Sequence, residues 1–526
     1  MFIRTPRRSA TPRTETPSAP RSSRSSSAAR TTPSCFLVTD QVDFLVSDQQ
    51  GGASMIVIVG AGPVGLWLAA ELRLGGAEVT VLEDREEPDP HSKALTVHPR
   101  TLELLACRGI VDRFLDEGRR IPDGHFGGLD DRMDFGVLDT PFPFTLALPQ
   151  ARTEALLEKH ARAAGARILR GHRVTGLTGD EESVTVEVAG RPPVRAAYVV
   201  GCDGTRSVVR EAAGIAFPGT EATTWGWLGD VVLDAPPQGP VSISGPAGGL
   251  MVVPLPGGVH RIVGGDPDGA GPDRPGALTL DELRAKVVAV SGGDYGLRDP
   301  RWLSRFGNAT RQAEHYRRGR VLLAGDAAHM HFPTGGVGLN VGVQDAANLG
   351  WKLAAVVGGE APDALLDTYH AERHPVGAEL LASTRAQTAL MTGHSPEGQA
   401  LRALLSGLIA DLPELSRTLA ERLSALSVAY PAGVGGHRLA GTRAPDLRLG
   451  GTGLFTLLRT GRHVLLDLAG GTPPAEGVTH HRGPLSVPHA DWAGVAAALI
   501  RPDGHVAWAD DDPDADPRAA VAGRWG

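Results

Sequence analysis

A chain of 526 residues exceeds one hydrophobic core of ordinary size, so we expect two or three domains. Its net charge of −8 gives no general reason to expect nucleic-acid binding, and no apolar stretch approaches the roughly 20 residues that cross a bilayer. Cys35, Cys107 and Cys202 show no ligand-like spacing, which argues against disulfide scaffolds and zinc modules and predicts a soluble protein of the reducing cytoplasm.

The first segment is rich in arginine and serine and contains almost no apolar residues. Glu15 is the only acid within residues 1–34, and we predict that residues 1–54 form a disordered extension. An export signal shares this composition, but no apolar segment follows the arginine pair near the start. Met55 stands directly before the first predicted strand, so we favour the alternative of an over-extended reading frame.

The next segment reads as a strand, a glycine turn, a helix and a second strand, in "IVIVGAGPVGLWLAAELRL" and "EVTVLE". Gly60, Gly62 and Gly65 have the GxGxxG spacing that allows a tight turn, the approach of a pyrophosphate and close packing of helix and strand. Glu83 ends the second strand, where it can accept hydrogen bonds from a ribose. The unit predicts a dinucleotide site, and this pattern alone does not separate NAD from FAD.

Two further strands end in an aspartate. Asp203 and Gly204 follow the buried strand "AYVVG", and Asp326 follows "RVLLAG". Ligands of open α/β sheets bind at the carboxyl ends of strands, although an Asp-Gly turn after a core strand explains Asp203 equally well. Pro333, Gly335, Gly336 and Gly338 then form a wall with little side chain, and a helix is predicted to begin near Leu339. A flat ring could lie against this wall, with its negative charge stabilised by the helix N-terminus.

The pattern changes between residues 223 and 310 to short alternating runs broken by Pro and Gly, which predict an inserted antiparallel sheet. Trp225 and Trp227 alternate onto one strand face and Met251 lies on a neighbouring strand. They suggest a pocket for a flat polycycle, and core packing is an equal alternative. Tyr369 to Pro375 read as an ordinary helix end. We predict no metal site, because His329 and His331 lack further ligands nearby.

"GAGPVG", "GCDGTRSVVR" and "GDAAHMHFPTGGVGLN", in this order, resemble the class A flavoprotein monooxygenases of the p-hydroxybenzoate hydroxylase type. "FGNATRQAEHYRRGRVLLAGDAAH" and "LIRPDGHVAW" are similar to the hydroxylases of angucycline-, anthracycline- and tetracycline-type polyketides. The resemblance implies an α/β fold with a Rossmann-like FAD domain, an inserted substrate sheet and a C-terminal thioredoxin-like domain without CxxC. The implied boundaries are 55–222 and 311–390 for the FAD domain, 223–310 for the substrate domain, 391–434 for a helical linker and 435–526 for the thioredoxin-like domain.

Residue by residue, the resemblance implies contacts along the whole of FAD. The pyrophosphate would lie at Gly60, Gly62, Pro63, Val64 and Gly65, and the adenosine ribose at Glu83. Lys93 stands where the family usually has an arginine near the phosphates, which keeps the charge without the bidentate fork. Gln150 would contact the flavin, Asp203 and Gly204 lie in a motif linked to both FAD and NAD(P)H, and Asp326 would bind the ribityl side. The isoalloxazine edge would lie at Pro333, Gly335, Gly336, Gly338, Leu339 and Asn340. Val337 stands where many relatives have glutamine.

The activity that the resemblance implies needs no side-chain nucleophile. NADPH or NADH would reduce non-covalent FAD, O2 would add at flavin C4a, and the hydroperoxide would hydroxylate an electron-rich polycyclic aromatic ring. A rifampicin-type, antibiotic-inactivating monooxygenase would share every motif. A flavin-bearing protein that binds biosynthetic partners is a hypothesis of another class. We expect a monomer or homodimer that binds neither nucleic acid nor membrane.

Overall fold

The computed structural model describes residues 54–271, 273, 275–431, 436–471 and 476–525. Apart from its last residue, the extension predicted over 1–54 lies outside the described residues. Within the described ranges, no helix is long and apolar enough to span a membrane. The described helices longer than ten residues are α1 (Pro63–Leu74), α2 (Gln150–Ala163), α3 (Leu280–Ser291), α4 (Val337–Val357), α5 (Asp367–Met391), α6 (Pro396–Asp411) and α7 (Pro413–Leu423).

A six-stranded sheet forms the centre of the fold. Its strands, in spatial order, are Arg317–Arg318, Val321–Leu323, Tyr198–Gly201, Ile56–Val59, Val79–Glu83 and Arg167–Arg170. All neighbours are parallel except the first pair. Ile56–Val59 is buried throughout, as expected of a central parallel strand covered on both faces. One strand precedes the glycine turn, and two others precede Asp203 and Asp326. Because these three strands are parallel, their carboxyl ends lie at the same edge of the sheet.

The inserted sheet is antiparallel and has five strands. In spatial order they are Val241–Gly245, Gly248–Pro254, Val259–Gly265, Trp225–Leu233 and Leu297–Gly307. Helix α3, which the sequence analysis did not predict, covers one face with Leu283 and Val287. Its sequence does carry the start and stop signals, because the Thr279 hydroxyl caps Glu282 N–H and Gly292 ends the helix at φ +78°.

Two long helices follow the central sheet. Helix α4 begins at Val337, two residues before the predicted start. The prediction of a helix end at Tyr369 to Pro375 is wrong, because α5 continues through Pro375 to Met391. Buried anchors stabilise this helix against the proline, whose interior position costs about 3 kcal/mol. Tyr369 donates a hydrogen bond to the Leu323 carbonyl (2.7 Å), and Arg373 is fully buried.

The C-terminal unit is a four-stranded mixed sheet with a short helix, Pro517–Ala522. Its strands, in spatial order, are Thr479–Arg482, Val464–Asp467, Ala497–Ile500 and Val506–Asp510. All three cysteines of the chain precede this unit, so it has no CxxC. The central sheet, the inserted sheet and this unit together confirm the predicted α/β fold class.

Three further sheets have three strands each. The strands Gly219–Thr220, Thr310–Gln312 and His329–Met330 form one of them, and it joins both ends of the inserted domain to the segment after Asp326. The other two are made of Val174–Gly179, Val184–Val188 and Val194–Ala196, and of Thr96–Val97, Thr145–Ala147 and Arg119–Ile121. The inserted sheet is therefore held beside the third glycine-rich motif.

Candidate flavin site

The glycines of the first turn have different structural roles. Gly60 has φ +105°, and a Cβ there would overlap the Cys202 carbonyl, while a Cβ at Gly65 would overlap the Gly60 carbonyl oxygen. Gly62 is extended (φ −74°, ψ −179°), and a Cβ there would meet nothing within 4 Å. Contacts within the protein therefore explain why glycine is needed at Gly60 and Gly65. At Gly62 there is no such contact, and the residue leaves open space in front of the helix.

This open space lies at the N-terminus of α1, which begins at Pro63 and has no side-chain cap. Uncapped N–H groups and the positive end of the helix dipole favour an anion at this position. Glu83 lies beside the turn and accepts hydrogen bonds from the backbone N–H groups of Ala61 (2.7 Å) and Arg85 (3.1 Å). A carboxylate has about four acceptor positions, so Glu83 retains capacity for a ribose hydroxyl.

Asp203 lies against the first turn, because its Cα would be 3.1 Å from a Cβ at Gly60. One carboxylate oxygen accepts a hydrogen bond from Val209 N–H (3.2 Å). The other is buried without a partner among the described residues. Burial raises the pKa of Asp203, and the nearby Ser207 hydroxyl and backbone N–H groups oppose this rise. A buried carboxylate oxygen of this kind fits a hydroxyl or N–H group of a bound ligand.

The third motif contacts the first directly. Gly325 (φ +64°) and Gly342 pack on Val64 of α1, and a Cβ at either position would come within 2.9 Å of the Val64 side chain. Asp326 is exposed in the middle of the short turn Gly325–Ala327. Arg210, from the second motif, donates to the Ala327 carbonyl (3.0 Å). All three motifs therefore meet at one place in the fold.

The wall after Asp326 is shaped by left-handed glycines. Gly335 and Gly336 have φ near +65°, and a Cβ at Gly336 would overlap the Thr96 hydroxyl. Pro333 is exposed, and Gly338 and Leu339 are partly buried in the first turn of α4. Asn340 is buried and fully engaged, since it accepts from His98 N–H (2.8 Å) and donates to the Thr96 and Gly336 carbonyls. Its side chain fixes the shape of the wall.

Gln150, the first residue of α2, binds the segment that contains Lys93. The Gln150 side chain accepts a hydrogen bond from Ala94 N–H (3.0 Å) and donates one to Glu154 (2.8 Å), so it holds the segment in place. Lys93 is exposed, and its carbonyl accepts a hydrogen bond from Arg261 of the inserted sheet (3.2 Å). Arg261 is itself paired with Asp230 through both carboxylate oxygens at 2.8 Å. The sheet and the Lys93 segment are thereby joined.

The structure does not bring Trp225, Trp227 and Met251 together in one pocket. Trp227 is 1% exposed in the core under α3 and donates its indole N–H to Asp266 (2.8 Å). Trp227 pairs with Gly264, and Met251 pairs with Val263, the preceding residue of the strand between them. Because successive residues of a strand point to opposite faces of the sheet, Met251 lies on the face opposite Trp227. Trp225 lies two residues before Trp227 on the same strand. Its indole nitrogen is buried without a partner among the described residues.

The face of the inserted sheet opposite α3 faces the wall. The Phe306 ring lies 5.2 Å from the ring of Phe332, which immediately precedes Pro333. Phe306 pairs with Gly226, and a Cβ at Gly226 would clash with the Phe306 ring. Phe306, Phe332 and Gly226 were not selected from the sequence. Their only sequence signal is the strand alternation that also places Trp227 on the other face.

The sequence analysis also missed Asp345 of α4. Its carboxylate is 1% exposed and binds Gly325 N–H, His329 and Arg373. A signal for it was present, because Asp345, Asn348 and Lys352 repeat at helical spacing in an otherwise apolar helix. His329 is accounted for by this contact, since its Nε2 donates to Asp345 (2.7 Å).

Comparison with known proteins identifies the family. Residues 53–384 match the family model described as "FAD binding domain", and residues 437–525 match "Aromatic-ring hydroxylase, C-terminal". An aromatic compound monooxygenase of Bacillus subtilis is 47% identical over 86% of this chain and 94% of its own length. Rifampicin monooxygenase of Streptomyces venezuelae is 46% identical over 87% and 96%. The structure of anhydrotetracycline hydroxylase from Streptomyces rimosus superposes with a TM-score of 0.82 at 42% identity, covering 90% of this chain and 99% of that one.

Proposed function

The chain belongs to the FAD-dependent aromatic-ring monooxygenases, and on that basis we propose that it hydroxylates a polycyclic aromatic polyketide in antibiotic biosynthesis. The observation that carries the proposal is the meeting of the three motifs with the face of the inserted sheet opposite α3. Val64 packs on Gly325, and Phe306 contacts Phe332. A cofactor held by the motifs would then have its reacting end beside a sheet that can hold an aromatic substrate.

FAD fits the residues of this site. Gly62 and the first turn of α1 would hold the pyrophosphate, and Glu83 the adenosine ribose, because open space, free N–H groups and a carboxylate lie there together. Exposed Asp326 would accept hydrogen bonds from the ribityl chain, and the wall from Pro333 to Leu339 would face the flavin ring. Bound FAD supplies the transfer of electrons from NADPH or NADH to O2 and of one oxygen atom to the substrate.

The work of this chain is to bind, orient and exclude water. The paired rings of Phe306 and Phe332 place apolar surface between the inserted sheet and the wall, where entry of water would waste reducing equivalents. Met251 faces the same side of the sheet as Val263 and adds a flexible apolar side chain. Such a surface suits a flat, electron-rich aromatic ring system, and the similar anhydrotetracycline hydroxylase bears the name of a substrate of that shape.

A second candidate function is the oxidative inactivation of an ansamycin antibiotic. The 46% identity to rifampicin monooxygenase over nearly the whole relative favours it specifically. The same flavin site would serve both activities, so only the substrate distinguishes them.

Both candidates are tested by aerobic NADPH oxidation with purified holoenzyme and a panel of anthracyclinone, angucyclinone, tetracycline-type and ansamycin compounds. We expect one polycyclic aromatic scaffold to stimulate NADPH oxidation strongly and to gain one oxygen atom. Stimulation by the ansamycin alone would replace the first candidate with the second. FAD binding without NADPH consumption on any scaffold would favour a partner-binding flavoprotein.

A further inference from the structure

A buried polar chain lies behind the turn that carries Asp326. Asp345 of α4 accepts hydrogen bonds from Gly325 N–H (3.1 Å) and from His329 Nε2 (2.7 Å) through one carboxylate oxygen. Gly325 and His329 flank Asp326 on either side. One carboxylate therefore binds both ends of the segment 325–329, which contains the exposed Asp326.

The second oxygen of Asp345 accepts a hydrogen bond from Arg373 Nε of α5 (2.8 Å). The same guanidinium donates to the Val341 carbonyl and to the Tyr430 hydroxyl, both at 3.3 Å. Burial alone would raise the pKa of Asp345, but the charges of Arg373 and His329 outweigh burial and hold it below its usual value. Asp345 is therefore an ionised carboxylate enclosed by its donors.

The buried polar chain of side-chain contacts continues into the C-terminal unit. The Tyr430 ring lies 4.2 Å from the ring of His505 and 5.0 Å from the guanidinium of Arg501. Arg501 binds both carboxylate oxygens of Glu372 at 2.8 Å, and Glu372 precedes Arg373 on α5. The turn of the C-terminal unit at Arg501 to His505 is thus connected through α5 to Asp345.

Stability alone does not account for this arrangement. A buried ion pair is often matched or exceeded in stability by apolar residues of similar volume, because desolvation of the charges offsets their attraction. What an apolar residue at position 345 could not do is accept from Gly325 N–H and His329 together. The position of the turn therefore depends on the carboxylate of Asp345.

We propose that Asp345 is a positioning residue that holds the turn from Gly325 to His329 so that Asp326 presents its carboxylate to FAD. Arg373 and the C-terminal unit fix the orientation of Asp345 from the other side. The inference rests on the proposed function, because Asp326 is assigned to FAD there.

The test compares Asp345→Asn with Glu71→Gln. Glu71 is a matched control, because it is as buried as Asp345 and binds both ends of the Arg108 guanidinium at 2.7 Å, without contact to the turn. Two properties are measured: hydrogen exchange of peptides covering residues 324–330 in the apoprotein, and the FAD dissociation constant of each variant. If Asp345→Asn is insoluble, Arg373→Lys carries the same test, since lysine keeps the charge but lacks the planar guanidinium that binds Asp345, the Val341 carbonyl and Tyr430.

Asp345→Asn should accelerate exchange in residues 324–330 and raise the FAD dissociation constant roughly tenfold or more. Glu71→Gln should change neither and lower only the melting temperature. Unchanged exchange in Asp345→Asn, or equal changes in both variants, would overturn the proposal. Faster exchange with unchanged FAD affinity would support the hold on the turn and contradict the assignment of Asp326 to FAD, so the two failures are distinguishable.

Discussion

Gly62 and Gly65 belong to one motif, yet their surroundings predict opposite consequences of the same substitution. Gly62→Ala should change the free energy of unfolding of the apoprotein by less than about 1 kcal/mol, because its backbone angles suit alanine and its Cβ meets nothing. It should weaken FAD binding about tenfold or more, since the methyl group enters the space assigned to the pyrophosphate. Urea unfolding and fluorescence titration with FAD measure the two effects.

Gly65→Ala is the comparison for this prediction. Its Cβ would overlap the Gly60 carbonyl, so it should destabilise the apoprotein by about 1 to 3 kcal/mol. If Gly62→Ala binds FAD as tightly as the wild-type protein, the pyrophosphate does not lie at this turn.

Asp326 provides a second prediction at the residue scale. Asp326→Ala should reduce FAD retention, with a dissociation constant raised about tenfold or more, because a charge-assisted hydrogen bond is lost. Asp491→Ala is a matched control, since Asp491 is also exposed in the middle of a short 3-10 turn but lies in the C-terminal unit. The flavin-to-protein ratio after purification is the measurement, and equal ratios in both variants would contradict the assignment.

The hydrogen-bond partners of single residues were not predicted from the sequence. The resemblance proposes Gln150 and Asn340 as FAD contacts, but it did not show that both side chains hold backbone groups. Asp345 was missed because its role depends on Arg373, which comes from another helix. Hydrogen-bond partners of this kind are set by tertiary packing, which a local pattern does not contain.

At the scale of elements, the two faces of the inserted sheet have separate tasks. Met251→Ala should raise KM for the aromatic substrate or uncouple NADPH oxidation from hydroxylation, with little effect on stability. Trp227→Phe should destabilise by about 1 to 3 kcal/mol, because it loses the bond to Asp266 and core volume, and leave KM unchanged. Steady-state kinetics and thermal unfolding measure the pair, and the reverse pattern would place the substrate under α3.

The contact between α5 and the C-terminal unit predicts a pH dependence. Burial would raise the pKa of Glu372, but Arg501 and Lys352 outweigh it and lower that pKa from 4.5 to about 2. A carboxylate whose pKa is lower in the folded than in the unfolded protein stabilises the fold at pH values above the unfolded-state pKa. This stabilisation is lost as the pH falls towards the folded-state pKa. From pH 6 to 4, the wild-type apoprotein should therefore lose about 1 kcal/mol more stability than Glu372→Gln. Urea unfolding at both pH values measures this, and equal losses would contradict it.

The bounds of elements with a strong hydrophobic periodicity were predicted closely, and the exceptions have physical causes. Helix α1 has the predicted bounds because Pro63 and the Gly75–Gly76 pair mark its ends. Helix α3 was missed inside a segment dominated by Pro and Gly. The end predicted near Pro375 was wrong because buried Tyr369 and Arg373 stabilise the helix through the proline.

At the scale of the whole molecule, the order of the motifs predicted the fold class and the family, because each motif ends a strand of one parallel sheet. The link from Asp345 to Arg501 was not predicted, since it joins segments far apart in sequence through side chains alone. We expect function at this scale to depend on both levels: the sheet edge brings the motifs together, and the buried polar chain connects the C-terminal unit to the turn at Asp326.

The most direct test of the central claim is hydroxylation under an oxygen-18 atmosphere, with the holoenzyme, NADPH and the scaffold that most stimulates NADPH oxidation. Mass spectrometry of the product should show the gain of one oxygen atom carrying the label, because the proposed monooxygenase transfers that atom from O2. A product without added oxygen, or with unlabelled oxygen taken from water, would contradict the assignment of this site to hydroxylation.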